Sequence, residues 1–285
     1  GPRIARRCLS QTHRAPLRRR RCTRRGRQAM IYFFADTWHL MLRHLRATIR
    51  LPIWIAMALI QPVIWLTLFG QLFRRVVDLP GFETGSYIEF LAPGVLIMTA
   101  MFGGAWSGMG LIDDLHHNVV DRMLATPVHR AAVIAARVLH AAITVIVQSI
   151  IVLLLALALG AGWPSFAGTI GVLVAAALVT AGFSAMSTGI ALLTRREETM
   201  IAVVNFFGLP LAFLSATFMS AQLMPEWMQT ASKANPVNWA VSAARHAVLG
   251  TDESAVWINS GLLLIFTLVM VMFATQAFRV YRRST

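Results

Sequence analysis

Six apolar stretches, each long enough to cross a lipid bilayer, occupy most of the chain from Leu51 to Phe278. A transmembrane helix needs about 20 mostly apolar residues to cross about 30 Å of hydrocarbon. None of the six stretches carries Lys or Arg near its middle. The predicted spans are residues 51–73, 88–112, 138–160, 168–194, 200–222 and 259–278. This pattern predicts an all-α integral membrane protein with six transmembrane helices.

The positions of the basic residues predict which way these spans run. Cytoplasmic loops of membrane proteins are enriched in Lys and Arg. If the chain starts in the cytoplasm, the cytoplasmic segments hold 22 of the 26 basic residues. The other side holds only Arg74, Arg75, Lys233 and Arg245. We therefore expect a multi-pass protein with both termini in the cytoplasm, and the same side still leads by eleven to four without the eleven arginines before Met30.

Residues 1–29 differ in kind from the rest of the chain. They contain eleven arginines, both cysteines and no apolar run, so they cannot bury enough surface to fold alone. We predict a disordered Arg-rich tail of open origin, because Gly1-Pro2 fits the scar of a cleaved tag and Met30 fits a natural start. Residues 30–285 are predicted to form one transmembrane domain. Since no cysteine follows Cys22, we expect neither a disulfide framework nor a cysteine-ligated metal site there.

Residues 31–50, just before the first span, show a helical pattern. Their apolar residues recur at three- and four-residue steps, while Arg43, Arg46 and Arg50 lie at other angles of the helix. This pattern is typical of an amphipathic helix in the membrane interface, and an ordinary juxtamembrane helix is the alternative. The apolar residues concerned are Ile31, Phe34, Trp38, Leu42, Leu45 and Ile49.

The segment after the second span is predicted to carry a short amphipathic helix on the cytoplasmic side. Its apolar stripe is Ile112, Leu115, Val119 and Met123. Thr126-Pro127 ends the helix, because the residue before a proline avoids the helical conformation. A polar-faced helix that protrudes from a bundle is a natural docking element for a soluble partner. A plain connector on the membrane surface is the alternative.

Two helix starts lie between the fifth and sixth spans. They are Met224-Pro225-Glu226 and Asn235-Pro236-Val237, where a proline in the first turn costs no hydrogen bond. The second helix is predicted to end near Leu249, before Gly250, a usual C-terminal residue. Both pieces are apolar but too short to span a membrane. They therefore predict a pair of re-entrant helices, which must be shielded by protein or line a cavity.

Several short stretches stand in a recognisable order across the six spans. They are Phe90-Leu91-Ala92-Pro93-Gly94, Asp121-Arg122-Met123-Leu124-Ala125-Thr126-Pro127-Val128, Leu223-Met224-Pro225-Glu226-Trp227-Met228, Asn235-Pro236 and Ala244-Arg245. This order resembles the membrane permeases of type-2 ATP-binding-cassette (ABC) exporters. Within that family the chain is most similar to the branch of daunorubicin-resistance and nodulation-factor-export permeases. The resemblance extends over residues 34–281.

The resemblance implies a half-transporter of the bacterial cytoplasmic membrane. Such permeases pair as homodimers or with a similar permease, and bind two copies of a separate cassette ATPase, which holds ATP and Mg²⁺. The residues that would contact the ATPase are Asp121, Arg122, Met123, Thr126 and Pro127. The re-entrant pair would help to close an outer gate that includes Pro225, Trp227, Asn235, Pro236 and Arg245. Many relatives carry Glu and Gly where His117 and Val120 stand here.

A dimer of such permeases would enclose a cavity lined by apolar side chains and a few amides. Methionine-rich surfaces adapt to varied ligands, so this lining favours an amphipathic drug, lipid or glycolipid, moved out of the cytoplasm or the inner leaflet. The residues predicted along this substrate path are Gln61, Trp65, Met98, Phe102, Asn205 and Phe206. Pro62 predicts a kink in the first span.

The chain lacks the phosphate-binding loop of an ATPase. A Walker loop needs Gly-Lys-Ser or Gly-Lys-Thr, and the only lysine, Lys233, stands between Ser232 and Ala234. ATP hydrolysis is therefore expected on another polypeptide. We expect no catalytic residue, metal or cofactor on this chain and no enzymatic activity of its own.

Other functional classes fit the sequence less well. Topology and attraction to anionic lipid headgroups account for the net charge of +14, so membrane lipids are expected partners and nucleic acid is not. An intramembrane enzyme would need ionisable groups at membrane depth, where this chain offers only amides and hydroxyls. An ion-coupled secondary transporter is the main alternative. Such folds usually show internal repeats and buried charges near the midplane, and neither is visible in the sequence.

Overall fold

The computed structural model describes residues 34–50, 52–73, 87–117, 119, 130–162, 165–219 and 223–281. Within these ranges the protein is built from helices joined by short turns. In chain order the helices are α1 (residues 34–49), α2 (Pro52–Ile64, extended by a π-helical turn, Trp65–Phe69, and by Gly70–Leu72), α3 (Tyr87–Trp106), α4 (Met109–His116), α5 (Arg130–Ala158), α6 (Phe166–Thr194), α7 (Glu197–Phe213), α8 (Glu226–Lys233), α9 (Pro236–Leu249) and α10 (Glu253–Tyr281).

Four segments of the described part are long and apolar enough to cross a membrane. They are Tyr87–His116, Ala132–Ala158, Phe166–Thr194 and Glu253–Tyr281, which match the second, third, fourth and sixth predicted spans. Shorter helices stand at the first and fifth: the apolar part of α2 is Ala56–Leu72, and α7 has 17 residues. The chain is thus a multi-pass helical membrane protein, and the total of six spans stays a prediction.

Helix α6 is the centre of the bundle and packs against α3, α5, α9 and α10. Glycines at its contacts let neighbouring backbones approach closely. A Cβ atom added at Gly104 of α3 would lie 2.6 Å from the Thr180 carbonyl oxygen of α6. A Cβ atom added at Gly182 of α6 would lie 2.5 Å from the Phe266 ring of α10. The small residues therefore set how closely these helices pack.

Hydroxyl groups tie α3 to α6 along this contact. Thr180 Oγ1 donates to the Ala100 carbonyl at 2.9 Å, and Ser107 Oγ donates to Ser184 Oγ at 2.8 Å. Hydrogen bonds between membrane helices are worth about 0.6 kcal/mol on average and up to about 1.7 kcal/mol. These bonds add modest stability and fix the register of α3 on α6.

Helix α2 contains Pro62, and a neighbouring helix replaces the hydrogen bond that this proline removes. Proline has no N–H, so the Ala58 carbonyl, four residues earlier, loses its helical donor. The Gln148 side chain of α5 donates to that carbonyl at 2.8 Å. Beyond the proline the helix widens into its π-helical turn, where Thr67 Oγ1 donates to the Val63 carbonyl at 2.7 Å.

The helices define two ends of the bundle. The arginine-rich end contains α1, α4, the beginning of α5 and the ends of α6 and α10. At this end, the guanidinium of Arg195, just after α6, lies 4.5 Å from the centre of the Tyr281 ring of α10. The opposite end contains the beginnings of α3 and α6 together with α8 and α9. At that end, a Cβ atom added at Gly168 of α6 would meet the Ala247 carbonyl of α9. The two ends differ in charge and carry different candidate sites.

Candidate functional site

At the arginine-rich end, one carboxylate joins three helices. Asp114 of α4 pairs with the guanidinium of Arg137 of α5 and, at 3.4 Å, with that of Arg43 of α1. Arg137 also donates to the Gly110 carbonyl at 3.3 Å, and its side chain is only 9% exposed. A buried charge is costly unless it is paired. The Asp114 cluster, meaning Asp114, Arg43 and Arg137, therefore holds α1, α4 and α5 in one arrangement.

Two histidines beside the Asp114 cluster add a second link between α1 and α5. The rings of His44 and His140 lie 5.8 Å apart, and the Thr48 hydroxyl lies 3.0 Å from His140 Nε2. Burial, together with the positive charges of Arg137, His140 and Arg43, lowers the pKa of His44 from 6.5 to about 3. The His44 ring is therefore neutral at physiological pH, and it packs near the arginines without adding a charge.

Helix α1 packs on the bundle through a face that its sequence pattern does not predict. Thr37 and Met41 are buried, and His44 and Thr48 continue the same face. Two residues of the predicted apolar stripe, Trp38 and Ile49, are instead 55% and 64% exposed. The exposed apolar side chains leave α1 with a surface suited to a membrane interface.

The Asp114 cluster flanks the segment predicted to contact an ATPase. Asp114 precedes residues 121–129, and Arg137 follows them. The predicted contact residues Asp121, Arg122, Met123, Thr126 and Pro127 lie outside the described residues, and their role stays a prediction.

At the opposite end, α7 stops at a buried turn, residues 214–217. Ser215, Ala216 and Thr217 are at most 8% exposed, so their backbone groups need partners within the protein. The Ala216 N–H donates to Asn238 Oδ1 at 3.0 Å, and the Ala216 carbonyl accepts from Arg245 at 2.8 Å. Irregular backbone at membrane depth is tolerated where protein shields it. Here two side chains of α9 satisfy both backbone groups of Ala216.

Arg245 connects the same turn to α3. Its guanidinium donates to the Phe90 carbonyl at 3.4 Å and lies 3.8 Å from the centre of the Phe90 ring. Among the residues that the structure describes, no carboxylate pairs with Arg245. A half-buried cation held by carbonyls and a ring thus joins α3, α9 and the 214–217 turn.

A row of aromatic rings runs from α2 to this cation. Neighbouring ring centres are 4.6–6.2 Å apart, within the range in which aromatic rings attract each other. The Tyr87 hydroxyl donates to the Phe218 carbonyl at 3.0 Å, which ties the row to the residue after the turn. The rings of the row are Trp65, Phe69, Phe73, Phe218, Tyr87 and Phe90.

Asn235 joins the ends of α7 and α9. Its Oδ1 accepts from the Val237 N–H at 2.9 Å, which caps the start of α9 as expected for an Asn-Pro helix start. Its Nδ2 donates to the Leu211 carbonyl at 2.7 Å, one of the acceptors left free at the end of α7. One side chain thus satisfies groups at two helix ends.

The predicted gate residues fall into two groups. Asn235 and Pro236 lie at the start of α9 and Arg245 lies further along it; Asn235 bonds the Leu211 carbonyl of α7, and Arg245 bonds the Ala216 carbonyl of the turn. Pro225 and Trp227 lie at the beginning of α8, and the Trp227 side chain is 65% exposed. The structure therefore places Asn235 and Arg245 on carbonyls at the end of α7 and in the turn after it, while a gating role for all five stays a prediction.

The residues predicted along a substrate path occupy different environments within this chain. Gln61 of α2 and Asn205 of α7 are exposed, and Phe206 is 73% exposed. Met98 is buried in the core, and Trp65 and Phe102 are partly buried. These residues differ widely in exposure within one chain, and a substrate path between two chains stays a prediction.

The residues that hold both ends together escape sequence reasoning. Asp113 and Asp114 look alike in sequence, yet Asp114 pairs with two arginines while the Asp113 side chain is 68% exposed. Asn238 stands inside a predicted helix start, with no sign that it binds the turn. Gln148 could be suspected from the sequence, because it is a polar residue within an apolar span and another span contains a proline.

The sequences of known proteins match most of this chain. The sequence profile of the ABC-2 type transporter family matches residues 35–249, from α1 to the end of α9. The putative transport permease ycf38 of Cyanophora paradoxa is 28% identical over 216 residues, covering 75% of this chain and 74% of that protein. The daunorubicin resistance ABC transporter permease protein DrrB1 of Streptomyces coeruleorubidus is 26% identical over 236 residues, covering 82% of this chain and 81% of that protein. The inner membrane transport permease YadH of Escherichia coli (strain K12) is 27% identical over 223 residues, covering 75% of this chain and 84% of that protein.

Proposed function

The chain belongs to the ABC-2 type transporter family, and we propose that it is the membrane permease subunit of an ATP-driven ABC exporter. Two copies of a separate cassette ATPase hydrolyse ATP for it. The permease itself works as a homodimer or with a similar permease. It moves its substrate out of the cytoplasm or the inner leaflet of a bacterial plasma membrane.

The observation that carries this proposal is the Asp114 cluster within the matched region. A permease driven by a soluble motor needs a segment that receives force and a rigid connection from that segment to its membrane helices. Asp114 and Arg137 flank residues 121–129, and both pair within one cluster that also holds α1. We assign this segment as the contact with the ATPase, through Asp121, Arg122, Met123, Thr126 and Pro127.

The proposed topology has six spans, with α2 as the first and α7 as the fifth. The arginine-rich end faces the cytoplasm, because basic residues accumulate on that side of membranes. Helices α8 and α9 form a re-entrant pair near the outer surface. The pairing of both Ala216 backbone groups by α9 side chains supports this assignment, because non-helical backbone at membrane depth needs partners within the protein.

The packing of the helices also suggests which residues form the outer gate and the substrate path. Arg245 would hold the outer gate closed by joining α3, α9 and the 214–217 turn. Gln61, Asn205 and Phe206 are exposed in one chain and would line the path between two chains. One relative is a daunorubicin resistance permease, which supports an amphipathic drug or lipid as cargo.

Alanine substitution at the proposed ATPase contact tests this function. The double variant Asp121→Ala and Arg122→Ala should insert normally in the membrane but lose energy-dependent export of a fluorescent amphipathic dye from cells that also contain the ATPase. Lys233→Ala, at the opposite end, is the control and should export like the wild type. Unchanged export by the double variant at equal membrane abundance would overturn the assignment.

A further inference from the structure

Helix α1 has three distinct faces along its length. Successive residues of a helix are about 100° apart, and on this basis each face is a strip about 60° wide. One face packs on the bundle through Thr37, Met41, His44 and Thr48, as described above. The other two faces lie outside that contact. One of them is apolar, and the other is basic.

The apolar face of α1 is largely exposed. Trp38 and Ile49 are 55% and 64% exposed, and Leu45 between them is half-buried. Helices that carry Trp, Phe and Leu on one face and basic residues on another lie in the membrane interface, with the apolar face among the acyl chains. Tryptophan suits this depth, because its ring is apolar while its N–H can bond a headgroup. The apolar face therefore fits the hydrocarbon part of a lipid.

The basic face of α1 carries three exposed arginines, Arg43, Arg46 and Arg50. The Arg43 guanidinium pairs with Asp114, which partly neutralises its charge. Among the residues that the structure describes, no ion pair involves Arg46 or Arg50. Arg46 is about 60° and Arg50 about 100° around the helix from Ile49. Two guanidinium groups thus border the apolar face, and their long side chains can reach to headgroup level.

Charge and polarity together decide which occupant fits this surface. The occupant must combine a hydrocarbon part with an anionic part. A phospholipid with an anionic headgroup has both, and its phosphate oxygens accept paired, charge-assisted hydrogen bonds from arginine. A zwitterionic phospholipid fits less well, because its ammonium group repels the arginines. An acidic soluble protein would match the charge but would leave Trp38 and Ile49 without an apolar partner.

We propose that α1 binds anionic phospholipids at the arginine-rich end of the bundle, with Arg46 and Arg50 on the headgroup and Trp38 and Ile49 against the acyl chains. Arg43 connects this lipid site to the Asp114 cluster, because it lies on the basic face and pairs with Asp114 of α4. The inference rests on one part of the proposed function, the topology that places this end at a membrane surface. It requires no ATPase.

Photolabelling with two lipid probes tests this site. The probes are phosphatidylglycerol and phosphatidylcholine with the same diazirine-bearing acyl chain, added at equal mole fraction to the full protein in phosphatidylcholine nanodiscs. The ratio of phosphatidylglycerol to phosphatidylcholine labelling on residues 34–49 should be well above one in the wild type. It should fall about fivefold in Arg46→Gln, because a basic residue near an anionic membrane contributes about 1 kcal/mol. In the double variant Arg46→Gln and Arg50→Gln it should approach one.

The matched control is the double variant Arg196→Gln and Arg279→Gln. These two arginines are also exposed at the arginine-rich end, just before α7 and on α10. The control removes the same charge and should leave the labelling ratio on α1 nearly unchanged. Both double variants should melt like the wild type, because the replaced side chains are exposed.

Three results would overturn the proposal. One is a ratio near one in the wild type, and another is an equal fall in the control variant. The third is a wild-type ratio in Arg46→Gln and Arg50→Gln together with loss of a co-purifying ATPase, which would assign these arginines to that partner. If neither probe labels α1, the proposed topology fails together with the lipid site.

Discussion

Gln148 shows how a single residue compensates for another across two helices. Replacing it with Met should cost roughly 0.5–1.5 kcal/mol of stability, because the Ala58 carbonyl loses its donor at 2.8 Å. In a Pro62→Ala background, residue 62 regains an N–H that can bond the same carbonyl. The Gln148→Met change should then cost little. Melting temperatures of the four proteins in one detergent measure this cycle, and equal costs in both backgrounds would contradict the proposed compensation.

His44 gives the arginine-rich end a pH dependence. Its pKa is lowered from 6.5 to about 3 in the folded protein, so above pH 6.5 the ring is neutral in both the folded and unfolded states and has no effect. As pH falls from 6.5 towards 3, the unfolded chain takes up a proton that the folded chain refuses. Stability should therefore fall by roughly 1 kcal/mol per pH unit in that window.

The His44 effect can be isolated with a variant that does not titrate. His44→Gln should lose less stability than the wild type between pH 7 and pH 5, measured by thermal unfolding in detergent. Arg43, Arg137 and His140 remain in place in this comparison, so their contributions cancel. Parallel pH profiles for the two proteins would show that His44 titrates normally.

At the scale of elements, adjacent glycines on α3 offer a matched test of the contact with α6. A Cβ atom at Gly104 would lie 2.6 Å from the Thr180 carbonyl oxygen, whereas one at Gly103 would meet nothing within 4 Å. Gly104→Ala should therefore destabilise the fold by about 1–3 kcal/mol through overpacking. Gly103→Ala should be neutral or stabilise by up to about 1 kcal/mol, since Ala favours helices. Equal melting temperatures for the two variants would contradict the described contact.

The Asp114 cluster allows a similar comparison of neighbours. Asp114→Asn removes the partner of the buried Arg137 charge and should cost about 3 kcal/mol or more. Asp113→Asn breaks only an exposed pair with His117 and should cost less than about 0.5 kcal/mol. Thermal unfolding of the purified variants measures both. A stable Asp114→Asn protein would mean that α1, α4 and α5 are held together by other contacts.

Helix bounds could be predicted where nearby residues determine them, and could not where residues distant in sequence do. The sequence predicts the bounds of α9, because Asn235 and Gly250 act within a few residues of the chain and the structure has them as its caps. The end of α7 was not predictable. Residues 214–222 continue the apolar run, but α7 stops at Phe213. In the turn after it, the backbone of Ala216 bonds Asn238 and Arg245, which are distant in sequence.

For the whole molecule, composition predicts a multi-pass membrane protein. Backbone N–H and carbonyl groups find no water in lipid, so long apolar runs form helices, which pair these groups internally. The order of the motifs also predicts the family, which the match over residues 35–249 confirms. The candidate sites are less accessible to sequence. The Asp114 cluster and the aromatic row form only when helices distant in sequence meet. The periodicity of one helix does not show which residues of another helix it will contact.

If this permease works with a separate ATPase, the two proteins should remain together during affinity purification. The chain would be purified from its native membrane in mild detergent, and the accompanying proteins identified and quantified by mass spectrometry. We expect one cassette ATPase polypeptide per permease chain, as for two copies on a dimer. Reproducible purification of the folded chain without any ATPase would contradict it.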